Sequence, residues 1–178
     1  MIINYNGRVV LIKRRDGSYA LPGGFVEYGE TTDSAAVREA KEETNLDIKL
    51  EKIIGVYSDP KRDPRMHVMS ITYAATGSGK LKSGDDAKEA FVVSVEDAMK
   101  MKLAFDHNKI LGDYNEYLKL RENLASLEHE QWMHWSKEKG EIELQHLYVP
   151  YTQLPEEKKE QDRVWADKVL KLLGAIKK

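Results

Sequence analysis

Three glutamates, Glu39, Glu42 and Glu43, lie close together in a stretch rich in helix-forming residues. On an α-helix, residues three and four positions apart share a face, so these side chains project together. Clustered carboxylates repel one another unless a cation neutralises them, and all-oxygen sites suit hard ions such as Mg²⁺ or Mn²⁺. The stretch therefore predicts a helix from Thr32 to Thr44 that carries a divalent metal site. A solvated acidic helix face is the alternative.

Two glycines, Gly23 and Gly24, precede this helix by a loop. Glycine has no Cβ, so a phosphate can approach its backbone closely, and the Gly23 carbonyl can supply a further oxygen ligand. Arg38 in the helix and Glu30 in the loop have opposite charges. They suit an ion pair that braces the loop against the helix.

The spacing of these residues resembles a known motif. From Gly24 to Leu46 the chain reads G-x5-E-x7-R-E-A-x-E-E-x-N-L, which matches the Nudix box at every fixed position except Asn45, where the family has Gly. This position follows the helix, where the chain turns through the left-handed conformation, and Asn tolerates that conformation next best after Gly. The resemblance implies a Nudix hydrolase, an α/β protein folded as an α/β/α sandwich. Such enzymes cleave a nucleoside diphosphate linked to another moiety.

The same resemblance implies roles for individual residues. The implied metal ligands are the Gly23 carbonyl and the side chains of Glu39, Glu42 and Glu43. Glu30 and Arg38 are implied to support them. The implied catalytic residues are Glu42, Glu43 and the downstream carboxylate Glu89, for which a solvated turn residue is the alternative. Bound Mg²⁺ or Mn²⁺ would offset the charge of the diphosphate, activate a water and stabilise the leaving phosphate.

A second charged segment, residues 55–67, follows in the chain. It contains two Asp-Pro pairs, which restrict the backbone on both sides of each proline, and it concentrates the basic side chains of Lys61, Arg62, Arg65 and His67. A stiff cationic loop suits a diphosphate or a terminal phosphate, and Arg is favoured there because it binds through two N–H groups. A charged surface loop is the alternative.

This segment resembles the corresponding stretch of ADP-ribose pyrophosphatase-like Nudix proteins, and residues 103–107 fit the same subgroup. The resemblance implies hydrolysis of ADP-ribose to AMP and ribose 5-phosphate, with Arg62, Arg65 and His67 binding the substrate. His107 alone is assigned no role, because a histidine at a helix start is more often a packing residue.

Phe25 is also predicted to bind substrate, because an aromatic ring can stack on adenine; Tyr28 and Tyr57 are the other candidates. Two other functions stay open. One is a MutT-type pyrophosphohydrolase that removes nucleoside triphosphates, and the other is a non-catalytic sensor that only binds ADP-ribose. The complete glutamate set favours an enzyme, since a sensor need not keep all three carboxylates.

The remaining pattern predicts a mixed sheet flanked by helices. β-Branched runs between turn signals predict strands at residues 8–14, 52–57, 66–75 and 90–95, with Ile2 and Ile3 as a short hairpin partner of the first. The second half predicts a small, mostly helical domain with tryptophans in its core, and it resembles the helical RyR repeat module. We predict a Nudix domain over residues 1–120 and this module over 121–178.

The composition excludes several functional classes. Lys and Arg number 28 against 30 Asp and Glu, a net charge of -2, which removes the electrostatic argument for a nucleic-acid or membrane binder. The absence of cysteine excludes disulfides, thiolate metal sites and a Cys nucleophile. The sequence contains no secretory signal and no apolar run near the ~18 residues of a membrane span. We expect a cytoplasmic protein whose partner is a small nucleotide, with a homodimer left open.

Overall fold

The computed structural model describes residues 1–82, 89–140 and 142–174, and the chain divides into two compact units, Met1–Asn115 and Glu116–Lys177. The first unit contains β1 (Ile2–Tyr5), β2 (Arg8–Lys13), β3 (Tyr19–Ala20), α1 (Thr32–Thr44), β4 (Asp47–Tyr57), β5 (Ser70–Ser78), β6 (Glu89–Val93) and α2 (Val95–Lys100). Helix α3 (His107–Lys139) begins there and continues into the second unit. That unit also contains 3₁₀ segments at Ile142–Leu147 and Tyr151–Gln153 and the helix α4 (Glu156–Leu172).

A mixed sheet forms the centre of the first unit. β1 is antiparallel to β2 and parallel to β5, which is antiparallel to β4. Ile12 of β2 pairs with both Ala20 of β3 and Ala90 of β6, so β3 and β6 lie on opposite edges of β2. The short opening strand lies between β2 and β5, and its residues Ile2 and Ile3 are fully buried. The predicted α/β fold with a mixed sheet is confirmed.

Helix α1 has the predicted bounds because local signals fix both of its ends. The Thr31 hydroxyl accepts a hydrogen bond from the Ser34 N–H (3.3 Å), which satisfies one of the unpaired donors of the first turn. After the last turn, Asn45 has φ 57° and ψ 10°, the left-handed conformation predicted for it. Its side-chain amide donates to the Lys80 carbonyl (2.9 Å), a hydrogen bond that a glycine would not make.

One face of α1 is attached to the sheet by apolar contacts. Ala40, together with Leu46 just after the helix, packs against Ile3 and Val10 of the central strands. Burial of this face leaves the side of the helix that carries the glutamates toward the loop and solvent.

Other elements differ from the sequence prediction. β4 begins at Asp47 rather than at residue 52, because apolar residues already alternate with charged ones over residues 47–51, as suits a strand with one exposed face. β5 begins at Ser70 rather than at residue 66, and the two-residue strand β3 is an addition. The last predicted strand ends early because the Ser94 hydroxyl accepts a hydrogen bond from the Asp97 N–H (3.1 Å), which caps α2.

The second unit is helical, as predicted, but two of its three tryptophans lie outside the core. Trp135 and Trp165 are 50% and 53% exposed. Small residues occupy the contact between the helices instead, since Ala125 of α3 and Ala166 of α4 form a buried cluster with Tyr151 and Leu154. Ion pairs add to this contact, joining Arg121 to Asp167 and Arg163 to Glu122.

No helix within the described residues is long and apolar enough to cross a membrane. The resemblance of the second unit to the RyR module and the domain limits 1–120 and 121–178 stay predictions, as do the cytoplasmic location, the homodimer and the lack of a nucleic-acid partner.

Candidate active site

The loop before α1 brings two glycines against two of the predicted metal ligands. The Gly23 N–H donates a hydrogen bond to Oε2 of Glu43 (2.7 Å). The Glu39 carboxylate lies so close to Gly24 that a Cβ on this glycine would be 2.2 Å from Oε1 of Glu39. Gly24 has no positive φ, so glycine is required here for space and not for backbone conformation. At Gly24, the space that a phosphate was predicted to approach is occupied by the Glu39 carboxylate.

Arg38 connects the loop to the glutamates. Its Nε and Nη2 donate to the two carboxylate oxygens of Glu30 (3.0 and 3.1 Å), so the predicted ion pair is present and bidentate. Nη1 donates to both Glu39 and Glu42 (2.9 Å each), and Nη2 also donates to the Phe25 carbonyl (3.0 Å). The hydrogen bond from Arg38 lowers the pKa of Glu30 below its ordinary value. One guanidinium group thus fixes the loop to the helix.

The donor groups around this loop fit a hard divalent cation. Glu39 and Glu42 accept from the same nitrogen of Arg38, so their bonded oxygens are no farther apart than twice 2.9 Å. Within the described residues, no three His, Cys, Asp or Glu side chains already form a metal-binding group. The glutamates are held instead by Arg38 and the Gly23 N–H. The groups that could hold a cation are the Gly23 carbonyl and the carboxylates of Glu39, Glu42 and Glu43.

Glu89, the predicted downstream carboxylate, opens β6 and is exposed. It pairs with Lys13 of β2. Lys13 also pairs with Tyr19 of β3, the short strand that leads into the loop containing Gly23 and Gly24, here called the glycine loop. Glu89 and β3 therefore flank the same residue of β2, while residues 83–88, just before Glu89, lie outside the described part of the chain.

Arg62, which is predicted to bind substrate, is buried. Its Nε and Nη2 donate to the two carboxylate oxygens of Asp106 (3.0 and 2.7 Å), and its side chain is 5% exposed. A buried charge needs a partner, and Asp106 supplies one from the segment before α3. This geometry suits a residue that fixes the loop more than one that presents its guanidinium to a ligand.

Arg65 is an exposed arginine of the same loop, with 56% of its side chain accessible. Its Nε and Nη2 donate to the two oxygens of the buried Asp63 (3.0 and 2.8 Å), and these hydrogen bonds lower the pKa of Asp63 to about 2. His67 is also exposed, and its Nε2 lies 3.2 Å from the Ser58 carbonyl oxygen. Both predicted ligand-binding residues are therefore in accessible positions.

The three candidate aromatic residues differ in exposure. Phe25 is 62% exposed and Tyr28 is fully exposed, both in the loop between β3 and α1. Tyr57 is 6% exposed, and its hydroxyl donates to Asp113 (2.9 Å). Burial and this hydrogen bond raise the pKa of Tyr57. Tyr57 therefore belongs to the core, whereas Phe25 and Tyr28 keep a ring accessible for stacking.

His107, which has no role in the sequence prediction, contacts Leu21, which lies between β3 and the glycine loop. Its Nδ1 accepts a hydrogen bond from the Leu21 N–H (3.0 Å), two residues before Gly23. Burial lowers the pKa of His107 to about 3, so the ring keeps this acceptor at neutral pH. The signal in the sequence that could have found it is the resemblance of residues 103–107 to the ADP-ribose pyrophosphatase-like subgroup.

This histidine predicts how stability depends on pH. In the unfolded chain His107 takes up a proton below its ordinary pKa of 6.5, whereas in the folded protein it does so only near pH 3. The unfolded state binds more protons between these values, so stability falls as the pH falls through that range, by at most about 1.4 kcal/mol per pH unit from this one group. We expect the free energy of unfolding to decrease less on acidification from pH 7 to 4.5 in His107→Asn than in wild type.

Urea unfolding at several pH values measures this difference. His134→Asn, which removes an exposed histidine of α3, is the matched control and should follow the wild-type pH dependence. A pH dependence of His107→Asn equal to that of wild type would contradict the prediction.

Comparison of this chain with known proteins identifies its family and several similar proteins. The profile of the NUDIX domain matches residues 1–114. A Methanocaldococcus jannaschii protein named ADP-ribose pyrophosphatase is 52% identical over 118 residues, which cover 64% of this chain and 69% of that protein. An Acinetobacter baylyi protein named ADPR responsive transcriptional repressor NtrR is 30% identical over 112 residues, 58% of this chain and 45% of that protein.

A solved structure has the same fold. The crystal structure of a MutT/nudix family protein from Enterococcus faecalis aligns with a TM-score of 0.58 and 32% sequence identity. The alignment covers 68% of this chain and 61% of that chain.

Proposed function

Since this chain belongs to the Nudix family and is a Nudix pyrophosphatase, we propose that its substrate is ADP-ribose, which it hydrolyses to AMP and ribose 5-phosphate. The observation that carries the proposal is the way Glu39 and Glu43 are seated against Gly24 and Gly23, with Arg38 holding the loop. The relative named ADP-ribose pyrophosphatase, at 52% identity, supports the choice of substrate.

We propose that the glutamates and the Gly23 carbonyl bind Mg²⁺ or Mn²⁺. Bound cations supply charge neutralisation of the diphosphate, a water of lowered pKa and stabilisation of the leaving phosphate. The residues of the chain hold the ligands in place. The Gly23 N–H orients the Glu43 carboxylate, and Arg38 orients Glu39 and Glu42 from one guanidinium group.

Substrate contacts are assigned to the exposed side of the loops. Arg65 is accessible and suits a phosphate of ADP-ribose, with His67 beside it on the same loop. Phe25 offers an accessible ring for the adenine. Arg62 is assigned the support of the loop through Asp106, and we keep Glu89 as the candidate general base because it is an exposed carboxylate that flanks the same strand position as β3.

A second candidate function is a sensor that binds ADP-ribose without cleaving it. The similarity to the protein named ADPR responsive transcriptional repressor favours this candidate, at 30% identity. The sensor and the enzyme differ in one observable, the turnover of bound ADP-ribose. The MutT-type alternative differs in substrate, because it acts on nucleoside triphosphates.

A hydrolysis screen with Mg²⁺ distinguishes these functions. Purified protein is incubated with ADP-ribose, NADH, dinucleoside polyphosphates or nucleoside triphosphates, and the products are separated by chromatography. We expect AMP and ribose 5-phosphate in equal amounts from ADP-ribose, and no product when EDTA removes the cation. Turnover of triphosphates with ADP-ribose left intact would favour the MutT-type enzyme. Binding of ADP-ribose in calorimetry without any turnover would favour the sensor.

A further inference from the structure

A tight turn over residues 104–107, just before α3, has an unusual backbone. Phe105 has a φ of 57°, in the left-handed region that Gly, Asn and Asp favour. The His107 N–H donates to the Ala104 carbonyl (3.2 Å) and closes the turn. Asp106, the second central residue of the turn, has no positive φ, so Phe105 alone carries the unusual conformation. A bulky residue held in this conformation points to a use for its side chain.

The ring of Phe105 contacts two guanidinium groups. Arg14, just after β2, lies 4.7 Å from the ring centroid, and Arg65 lies 5.3 Å from it. Both distances are within the roughly 6 Å range of a cation–π contact. A glycine would suit the backbone better but would lose both contacts. The side chain therefore serves to hold Arg65, the exposed arginine of the loop between β4 and β5, which is the proposed substrate loop.

The next two residues of the turn contact two different loops. Asp106 pairs with Arg62 and so holds the substrate loop. His107 accepts a hydrogen bond from the Leu21 N–H and so holds the segment between β3 and the glycine loop. Three consecutive side chains thus reach both loops of the proposed active site.

We propose that the turn over residues 104–107 is a positioning element that sets the glycine loop and the substrate loop relative to one another. His107 is the positioning residue for the glycine loop, and Phe105 with Asp106 positions the substrate loop. The inference rests on the proposed function, because the two loops have these roles only if the protein is a metal-dependent hydrolase.

The path from His107 to the metal ligands is short. His107 accepts a hydrogen bond from the Leu21 N–H, and Leu21 is two residues before Gly23. The Gly23 N–H in turn orients the Glu43 carboxylate (2.7 Å). Without the imidazole acceptor the Leu21 N–H loses its partner, and the loop shifts or loosens. Groups that orient metal ligands typically change metal affinity by about 10–100-fold when they are removed.

The two halves of the turn predict different kinetic effects. His107→Phe keeps an aromatic ring but has no acceptor, so we expect weaker binding of Mn²⁺ by about tenfold or more and a lower kcat, with little change in KM. Phe105→Gly keeps the turn and loses the ring, so we expect KM for ADP-ribose to rise about threefold or more, with Mn²⁺ affinity unchanged. A variant that was only less stable would not change KM and Mn²⁺ affinity independently of one another.

The test measures Mn²⁺ binding to the 178-residue chain without nucleotide, by electron paramagnetic resonance of the free ion, together with steady-state kinetics on ADP-ribose. His107→Asn is the rescue variant, because its Oδ1 can take the place of Nδ1 as acceptor, and we expect Mn²⁺ affinity within about threefold of wild type. His129→Leu is the control. It removes a buried imidazole that contacts a backbone carbonyl in the second unit, and it should leave Mn²⁺ affinity unchanged.

Wild-type Mn²⁺ affinity in His107→Phe, or no recovery in His107→Asn, would overturn the positioning role and leave the proposed function intact. A wild-type protein that binds no Mn²⁺ and cleaves no nucleotide would instead refute the proposed function. If His107→Phe does not fold, hydrogen exchange of the Leu21 amide in wild-type protein decides. A protected amide supports the proposal, and exchange as fast as that of an exposed amide overturns it.

Discussion

Replacement of Glu42 or Glu43 by Gln is expected to lower kcat for ADP-ribose by at least about a hundredfold, because an uncharged amide is a weak ligand for a hard cation. The fold should persist in both variants. Glu42 is exposed, and the amide oxygen of a glutamine at position 43 can still accept the hydrogen bond from the Gly23 N–H. The measurement is kcat at saturating Mg²⁺, alongside thermal unfolding of each variant.

Glu51→Gln is the matched control for these substitutions. Glu51 is an exposed glutamate of β4 whose carboxylate accepts a hydrogen bond from Thr76, on the strand next to it. The Glu51→Gln substitution removes one negative charge from the same unit, and we expect this variant to keep the wild-type kcat. Retained activity in both Glu42→Gln and Glu43→Gln would refute their assignment as metal ligands.

Substitution of Gly24 by Ala is expected to have the second large effect. The added Cβ would lie 2.2 Å from Oε1 and 2.5 Å from Cδ of Glu39, so the carboxylate has to leave its position. Glu39 would then lose its hydrogen bond from Arg38 and its place in the metal site. We expect Mn²⁺ affinity and kcat/KM to fall by about 10–100-fold, the range for changes that misplace a metal ligand.

Gly112→Ala provides the control for a bare glycine-to-alanine change. Gly112 lies in α3 without a positive φ, and apart from the backbone of its own helix no atom of the described residues lies within 4 Å of the added Cβ. This variant should therefore keep wild-type activity and gain about 0.5–1 kcal/mol of stability. If Gly24→Ala is as active as Gly112→Ala, the contact between Gly24 and Glu39 does not contribute to activity.

Local signals in the sequence were sufficient for α1 and the position that follows it. The helix has the predicted bounds, since its cap and its left-handed end depend on Thr31, Ser34 and Asn45, all within a turn of the helix ends. The ion pair of Arg38 with Glu30 could also be predicted from the sequence, because the loop and the helix are adjacent in the chain. Strand starts were less accurate, because alternation of apolar and charged residues does not mark where pairing begins.

The contacts that could not be predicted from the sequence join residues that are far apart in the chain. Arg62 and Asp106 are 44 positions apart, and Leu21 and His107 are 86 apart. Pairing at such distances is decided by how the sheet and the loops pack, and no local periodicity or capping pattern encodes it. The same holds for Tyr57, whose position in the core depends on Asp113.

The sequence by itself therefore determined which acidic residues line the proposed metal site. It also determined the helix on which they lie, because helical spacing is a local property. The tertiary structure decided which basic residues are buried and which are exposed, and which turn connects the two loops. Those features arise from burial and from hydrogen bonds between distant segments, which exist only once the chain has folded.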